Sequence, residues 1–494
     1  MTILARVRQE AGSRWPEWTT ISAFAAVVAC AIPFHEPWAD EAQGWQLARS
    51  LSLPELFQTF IRYEASPGLW HFLLWLLVRA HVSYAGLHWI CGLAAVAATS
   101  LLVFRSPFPR VLRLVLPFTY FLLFQYAIVA RSYVLAPLLL YLIALCWRKS
   151  PLLVALLLGL LANLALHAAA ISAGLALVYL AEQTRGGGWR NRQRQRTLIL
   201  GALLLAGLWA FALWTAWPPQ ALSSHIASMR GPSRPILMSA VQALFWGICR
   251  PWELAAAFWI GIGVCLRERR SLVFLLPIAA FACFSGAASY DWWHVGLLVP
   301  LAICILWITW PSAQAGVSRA EWMGRIAVLS VAAVQIAWSA YALQFDHFNA
   351  YSPDLAAARF LQPLVRQGAR IAVTYLGDPE CRACRSTGLL PYFDSNIFIN
   401  VPYPFWSWGD QDRSEANFLQ ILPSHPPVVV VETMSANPET PFDPLDAKVV
   451  LLDRNGYTFT GMFCGYRPQA LGLVEKSCHL IFQREKAPAA AAQH

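Results

Sequence analysis

Upstream of about residue 345, apolar runs of bilayer-spanning length alternate with short polar loops, and this pattern sets most of what the chain can become. The first run covers 21–34. Others follow at roughly 68–80, 86–104, 112–130, 132–147, 151–166, 168–183, 197–217, 236–249, 252–266, 271–288, 295–310 and 326–344. One crossing of a bilayer takes about 20 residues at 1.5 Å rise, so several of these runs need help from their flanks. Charged residues are only 13% of the 494, against about 25% in an ordinary soluble domain. That shortfall excludes a cytosolic enzyme, a disordered chain and a fibrous one. The net charge of +10 does not point to nucleic acid, because basic residues of a membrane protein gather in cytoplasmic loops facing anionic lipid. The 23 tryptophans fit many membrane interfaces. The first run is followed by many more and by no small-x-small site, so it reads as a span and not as a cleaved leader.

Charge predicts orientation. Arg6, Arg8 and Arg14 precede the first run and favour a cytoplasmic N-terminus. The loop 185–196 holds five Arg and no acid, and it too reads as cytoplasmic, as do 267–270, 147–149 and the Arg319/Arg325 loop. Counting from Arg270 puts 290–294 and everything after 345 outside. Counting back from 147–149 puts Arg131 outside and 105–113 inside. The stretch 35–67 is then outside only if 68–104 makes one net crossing, with 68–80 partial or re-entrant. The stretch 236–266, with Arg250-Pro-Trp-Glu253 in its middle, is of the same kind. The expectation is an α-helical polytopic membrane protein with about 11 transmembrane helices.

The composition breaks near 345, and residues 346–486 read as an extracytoplasmic α/β domain. Amphipathic 354–367 predicts a helix. The segments 370–375, 427–432, 448–452 and 479–483 predict short strands. Such alternation suggests a small sheet with helices on it. Residues 487–494 read as a disordered tail. No internal repeat and no Gly-rich nucleotide loop is present.

The first outside loop carries the most chemistry. It reads His35-Glu-Pro-Trp-Ala-Asp-Glu-Ala-Gln-Gly-Trp-Gln-Leu-Ala-Arg49, with Asp40 and Glu41 adjacent just past a span. The bland alternative is that Asp40 caps a helix starting near Glu41, which suits its side chain. Later in the loop comes Arg62-Tyr-Glu-Ala-Ser-Pro-Gly-Leu-Trp70-His71, opening the next apolar run, and Ala130-Arg131-Ser132-Tyr133 then joins two apolar runs.

An Asp-Glu pair in the first outside loop, a Pro-containing start to the second span and a later Arg-aromatic junction together resemble the GT-C integral-membrane glycosyltransferases. Within them the likeness is to the protein O-mannosyltransferase and aminoarabinose-transferase type. It covers roughly 15–345, with the specific motifs confined to 36–75 and 131–133. The resemblance implies a GT-C-like bundle that takes a sugar from a polyprenyl-phosphate carrier on the non-cytoplasmic face and passes it, with inversion, to a lipid, glycan or protein acceptor. It implies Asp40 as general base, with Glu41 positioning acceptor or base. Some members hold a divalent cation with further acidic residues. The Arg131 junction has no Asp nearby, so a metal-independent site without cofactor is expected.

The physical logic stands beside the likeness. An acceptor hydroxyl is a poor nucleophile near neutral pH, and a carboxylate within about 3 Å can take its proton as the bond forms. The leaving lipid phosphate departs with negative charge and needs a cation, preferably planar and bidentate. Arg62 and Arg131 are the leading candidates, His71 and His294 weaker ones. An Arg at a membrane edge often only snorkels to head groups, but Arg131 lies in little hydrophilic sequence, where a charge is expensive unless used. Glu64 is either a surface residue beside Pro67 or a further acidic group of the site, and Tyr133 is the aromatic member of the Arg junction. The stretch 290–294 is either an aromatic belt or a sugar site, with Trp faces on C–H groups and Asp291 on hydroxyls. Asn163 and His167 mark a turn between short spans. His225, Arg230 and Arg234 sit in an outside loop that reads as ordinary solvated surface or as a meeting place for an anion.

Seven of the 11 cysteines lie in apolar runs and read as small fillers. Cys381, Cys384, Cys464 and Cys478 lie in the outside domain. An even number there suggests disulfides, Cys381–Cys384 and Cys464–Cys478 being the most local pairing, with the crossed pairings and a four-Cys zinc site as alternatives. Expected partners are a polyprenyl-phosphate-linked sugar and membrane lipids, not nucleic acid. The rival readings are a transporter or flippase, which would show repeats and broken helices at mid-depth, a non-catalytic assembly partner, and a ligase or polymerase using a diphosphate carrier.

Overall fold

The computed structural model describes residues 14–185, 192–219, 235–288, 291–311, 318–376, 386–405, 417–435, 446–470 and 473–484. It is mostly helical, with a four-stranded sheet near the C-terminus. The helices named below are α1 Trp15–Ala31, α2 Ala39–Ser50, α3 Leu69–Arg79, α4 Tyr84–Arg105, α5 Leu135–Cys146, α6 Pro151–Ala162 and α7 Leu166–Arg185. They continue with α8 Arg192–Ala216, α9 Ile236–Trp246, α10 Trp252–Glu268, α11 Leu275–Ala287, α12 Leu298–Ile308 and α13 Arg319–Phe348. Four of them, α4, α7, α8 and α13, are long and apolar enough to cross a membrane.

Polar chemistry in the bundle gathers at two ends. At one, Arg110 and Arg113 meet Glu17 at 3.1 and 3.3 Å, and Arg269 and Arg325 both meet Glu321, at 2.8 and 3.2 Å, with their guanidinium groups over Trp310. The Trp147 indole donates to Glu182 at the same end. At the other stand His35, Asp40, Arg131, His167, His294 and Asp346. Thus α1, α4, α5, α7, α12 and α13 each have one terminus in each cluster. Their middles are apolar, and many mid-helix side chains, such as Leu93, Leu203 and Ile260, point outward. Helices approach closely where glycine permits: a Cβ on Gly174 would stand 2.3 Å from the Pro277 Cα of α11.

Helix α3 stays at the Asp40 end. Its first amide, Leu69 N, donates to Asn163 O at 3.0 Å, while Trp75 and Arg79 from its last turns donate to Leu51 O at 3.3 and 3.2 Å. With 11 residues it spans only about 16 Å. The expected continuous run at 112–130 is instead broken. A short helix, Arg110–Val115, gives way at Pro117, which has no amide to donate, to a wide turn at Phe121–Gln125 and an irregular stretch to Arg131. Asn163 does lie in the turn between α6 and α7, its side chain donating to Gly159 O and Leu208 O.

The C-terminal domain adds α14 Asp354–Arg366, α15 Ala447–Arg454 and strands β1 Ile371–Leu376, β2 Val428–Ser435, β3 Tyr457–Ala470 and β4 Leu473–Arg484, ordered β1-β2-β4-β3. Strands β1 and β2 are parallel and the other pairs antiparallel. Side chains alternate across the sheet: Ile371, Val373, Val428 and Val430 face α14, whereas Ala372, Val429, Val431 and Leu480 face the Leu452 of α15. Both faces are covered, which is why β2 reads as an unbroken Val run. The strand expected at 448–452 is helix α15. Asp446 caps it by accepting from Lys448 N at 2.8 Å, and Gly456 at φ +79° ends it. A five-residue apolar run fits a buried strand or one helix face equally well, and here the cap decides. Strand β3 was not expected: Gly461, Gly465 and Pro468 interrupt its pattern, and it lies at the sheet edge.

Cys464 and Cys478 are opposite each other in the β3–β4 hairpin and form a disulfide. Cys381 and Cys384 lie outside the described residues, as do His225, Arg230 and Arg234. Of the cysteines expected as fillers, Cys91, Cys146, Cys249, Cys265 and Cys304 are buried and Cys30 and Cys283 are exposed. The domain docks on the Asp40 end. Arg49 of α2 donates to Phe393 O and Leu390 O at 2.9 and 3.1 Å, and Tyr466 N donates to Ala350 O at 2.7 Å. At Gly465 a Cβ would come within 2.5 Å of the Ser352 backbone, so only glycine lets the hairpin lie that close.

Candidate active site

Helix α2 begins right after α1 has delivered the chain to this end. Trp38 caps it with extended backbone, and Asp40 and Glu41 occupy its first turn, where the exposed amides favour negative charge. Glu41, not Asp40, does the local capping: its Oε1 accepts from Trp38 N at 3.1 Å. Neighbouring helix positions point about 100° apart, so the two acids part company. Glu41 turns into the protein and is fully buried, while Asp40 faces a cleft with its side chain 31% exposed.

Across that cleft, Arg131 Nη1 lies 2.9 Å from Asp40 Oδ2, in an ionic contact without the angle of a directed hydrogen bond. Arg131 sits on extended backbone just after the buried run 127–130. Its guanidinium is enclosed by the rings of Trp38, Tyr133 and Trp293, at 5.6, 5.6 and 5.5 Å. Three aromatic faces hold the charge in place by ring electrostatics and keep its planar fork from snorkelling away. From the C-terminal domain, Arg467 lies over the Trp38 ring at 3.8 Å and pairs with Glu475 at 2.7 Å.

Two further carboxyls border the cleft. Glu64 accepts from the Gln43 side chain at 2.8 Å. Desolvation, helped by the charge of Asp40 and opposed by Gln43 and Arg131, pushes it up to about 8. Asp291 reaches solvent at its edge but has protein on its other sides, and desolvation together with the nearby Asp40 pushes it up to about 6. His294, one turn on, accepts from Asp291 N at 3.0 Å and stacks on His167 at 4.6 Å. It also meets the Tyr133 ring edge-on at 5.5 Å.

Of the residues singled out from sequence, Asp40, Glu64, Arg131, Tyr133, Asp291 and His294 are therefore drawn to one cleft. Arg62 is not among them: its Nε donates to Trp217 O at 3.1 Å on an exposed edge. His71 is buried inside α3. Glu41 stands behind the cleft. An apolar cavity lined by Phe108, Leu116, Phe258, Leu306 and Gln335 lies elsewhere in the bundle.

Behind Asp40, Glu41 has three partners that its sequence neighbourhood does not announce, Ala130, His88 and His35. Glu41 Oε2 accepts from Ala130 N at 2.6 Å and from His88 Nε2 at 2.9 Å, while its Oε1 meets His35 Nε2 at 3.4 Å. His35 Nδ1 in turn meets Asp346 Oδ2 at 2.9 Å. Burial works against a charged His35, but Asp346 and Glu41 outweigh it and raise the imidazole to about 10. Glu41 goes well below the usual carboxylate range, because His35 and His88 overcome its desolvation. The available signal was His88, an ionisable side chain inside an apolar run. No family model, no curated protein and no solved structure matches this chain.

Proposed function

We propose that the chain is an inverting glycosyltransferase of the bacterial inner membrane, GT-C-like, that moves a sugar from a polyprenyl-phosphate carrier to an acceptor at the extracytoplasmic face. The observation that carries this reading is the solvent-facing Asp40 carboxylate set 2.9 Å from an Arg131 guanidinium enclosed by aromatic rings. Here a proton acceptor and a cation for a phosphate share one cleft at one end of an apolar bundle.

The reaction follows from those two groups. The acceptor oxygen forms a bond to the anomeric carbon as the bond from that carbon to the phosphate oxygen breaks. The acceptor proton passes to Asp40, and the bonding pair leaves with the polyprenyl phosphate, whose charge Arg131 meets. Before donor binding, Arg131 and Asp40 neutralise each other. A phosphate arriving at Arg131 takes over as its partner and frees Asp40 as base. Asp291 offers a carboxyl to sugar hydroxyls. Arg467 and Glu475 bring the C-terminal domain to the rim, where it lids the cleft or selects the acceptor.

Membrane insertion is part of the proposal. Counting α9 and α10 as one passage, and 110–130 as another, about eleven passages link the two ends, namely those two with α1, α4, α5, α6, α7, α8, α11, α12 and α13. Because α3 does not traverse the bundle, the order of passages puts Asp40, Arg131, Asp291 and the C-terminal domain on one side. The Arg-rich loops fall on the other side, which the charge rule makes cytoplasmic. The outward-facing Leu93, Leu203 and Ile260 suit lipid better than water. A transporter is less well supported, since the sequence shows no internal repeat and, apart from Arg250 and Glu253 at the break between α9 and α10, the charged side chains of the passages among the described residues stand near their ends.

The experiment is transfer from a lipid-phosphate sugar in detergent by wild type and Asp40→Asn, with product anomer determined. Loss of turnover with donor binding retained supports the assignment, and near-normal turnover removes it.

A further inference from the structure

We propose that His35, Glu41 and His88 bind one divalent transition-metal ion of the zinc class, a structural site directly behind the Asp40 cleft. Their ligand atoms all lie within 4.8 Å of one another, and all three residues are buried. His35 Nε2 faces Glu41 Oε1 at 3.4 Å and His88 Nε2 faces Oε2 at 2.9 Å. Around a tetrahedral zinc with bonds of about 2.0–2.2 Å, neighbouring ligand atoms stand roughly 3.3 Å apart, so adjustments of a few tenths of an ångström suffice for those two edges. A bidentate Glu41 and two imidazoles would supply two oxygen and two nitrogen donors.

The surroundings also suit a metal ion, which would displace the imidazole proton that pairs His35 with Glu41. Nδ1 of His35, the nitrogen turned away from Glu41, is held by Asp346 at 2.9 Å, the carboxylate–histidine arrangement that fixes a ligand's tautomer and raises its basicity. Trp38 N and Ala130 N both donate to the Glu41 oxygens, at 3.1 and 2.6 Å, and so fix the carboxylate's plane. Charge also closes: a divalent ion with neutral imidazoles balances Glu41 and Asp346. Imidazole nitrogen in half the donor set favours zinc-class ions over magnesium or calcium, which prefer oxygen.

The ion takes no part in bond making. It would tie the loop before α2 to α4, and through Ala130 to the residue preceding Arg131, fixing the separation of Asp40 from Arg131. The inference rests on this donor geometry alone and stands or falls separately from the transfer reaction.

The test is metal content. Full-length protein in detergent is equilibrated with Zn²⁺, passed over a chelating resin and measured by elemental mass spectrometry. The expected result is one zinc per chain in the wild type, at least a tenfold loss in His88→Gln and Glu41→Gln, and a 10–100-fold weaker affinity in Asp346→Asn, which keeps every ligand. Monodisperse wild type with less than a tenth of an ion per chain would overturn the proposal. So would unchanged zinc in folded His88→Gln, which would assign the metal to other residues such as the domain cysteines. Should the ligand variants not fold, the wild-type stoichiometry and the Asp346→Asn affinity decide.

Discussion

The Asp40 carboxylate and the Arg131 guanidinium face each other at 2.9 Å, yet they come from chain segments 91 residues apart, one opening a helix and the other following a buried run. A pair so placed serves as base and anion site only if ligand binding separates it. Asp40→Asn keeps the shape and removes the proton acceptor. Transfer should fall by about 10²–10⁴, the usual worth of a positioned general base. Donor affinity should hold or rise, because Arg131 loses its competing partner. Equal losses in kcat and in donor binding would mean that Asp40 only organises the site.

Arg131 should not be replaceable by Lys. The three rings around it suit a flat, weakly hydrated guanidinium, and a phosphate engages its fork bidentately. Removing one charge-stabilising donor typically costs about 10²–10³ in rate. Arg131→Lys and Arg131→Ala should both fall in that range in kcat/KM for donor, with Lys recovering less than tenfold. Full activity in Arg131→Lys would show that a point charge suffices and that the aromatic enclosure has another purpose.

Glu64 sets a pH limit. Its carboxyl stands at about 8, raised by desolvation from an ordinary value near 4.5. Between these values the folded chain keeps a proton that the unfolded chain has released, so this group makes stability fall as pH rises from about 4.5 to 8. Above about 8 Glu64 ionises, adds a second negative charge beside Asp40 and competes for Arg131, so transfer should decline there. Glu64→Gln holds the group neutral. It should retain activity near pH 7, flatten the loss of thermal stability across that window and remove the alkaline limb. An unchanged limb in the variant would assign it to another group.

How far the sequence reveals this arrangement depends on the range of the interactions. The apolar runs give the helices because their pattern is local, and the order of charged loops gives the two ends. Asp40 and Arg131 stand out because each is a charge at the edge of an apolar run. Arg62 stands out equally by that criterion, yet it bonds the backbone of Trp217 at a rim, since helix packing decides which edge faces the cleft. Breaks such as Pro117 are visible as residues, but their effect on 112–130 is not. The partnership of His35, Glu41, His88 and Asp346 joins three separate parts of the chain, and nothing in the spacing of two histidines inside or beside apolar runs announces it. Arg467 carries still less signal, being one basic residue in an edge strand.

That edge strand gives the last prediction. The Cys464–Cys478 bond staples the β3–β4 hairpin three residues before Arg467, whose partner across the ladder is Glu475. The hairpin reaches the cleft through the contact of Arg467 with Trp38, 3.8 Å from guanidinium carbon to ring centre. Closing a loop of about 15 residues is worth roughly 3 kcal/mol through the unfolded chain. Cys464→Ser with Cys478→Ser should therefore lower the melting temperature of the C-terminal domain in detergent while leaving the helical bundle's transition in place. Arg467→Ala combined with Glu475→Ala keeps the staple, removes the contact and leaves no unpaired buried charge, so the domain's melting should change little while acceptor KM rises several-fold at unchanged donor affinity. A variant that loses donor affinity instead would make Arg467 part of the phosphate site, and one with wild-type kinetics would make the hairpin a purely structural brace. Reduction of the wild-type protein by a thiol should reproduce the double-serine melting curve, because both remove the same covalent link between β3 and β4.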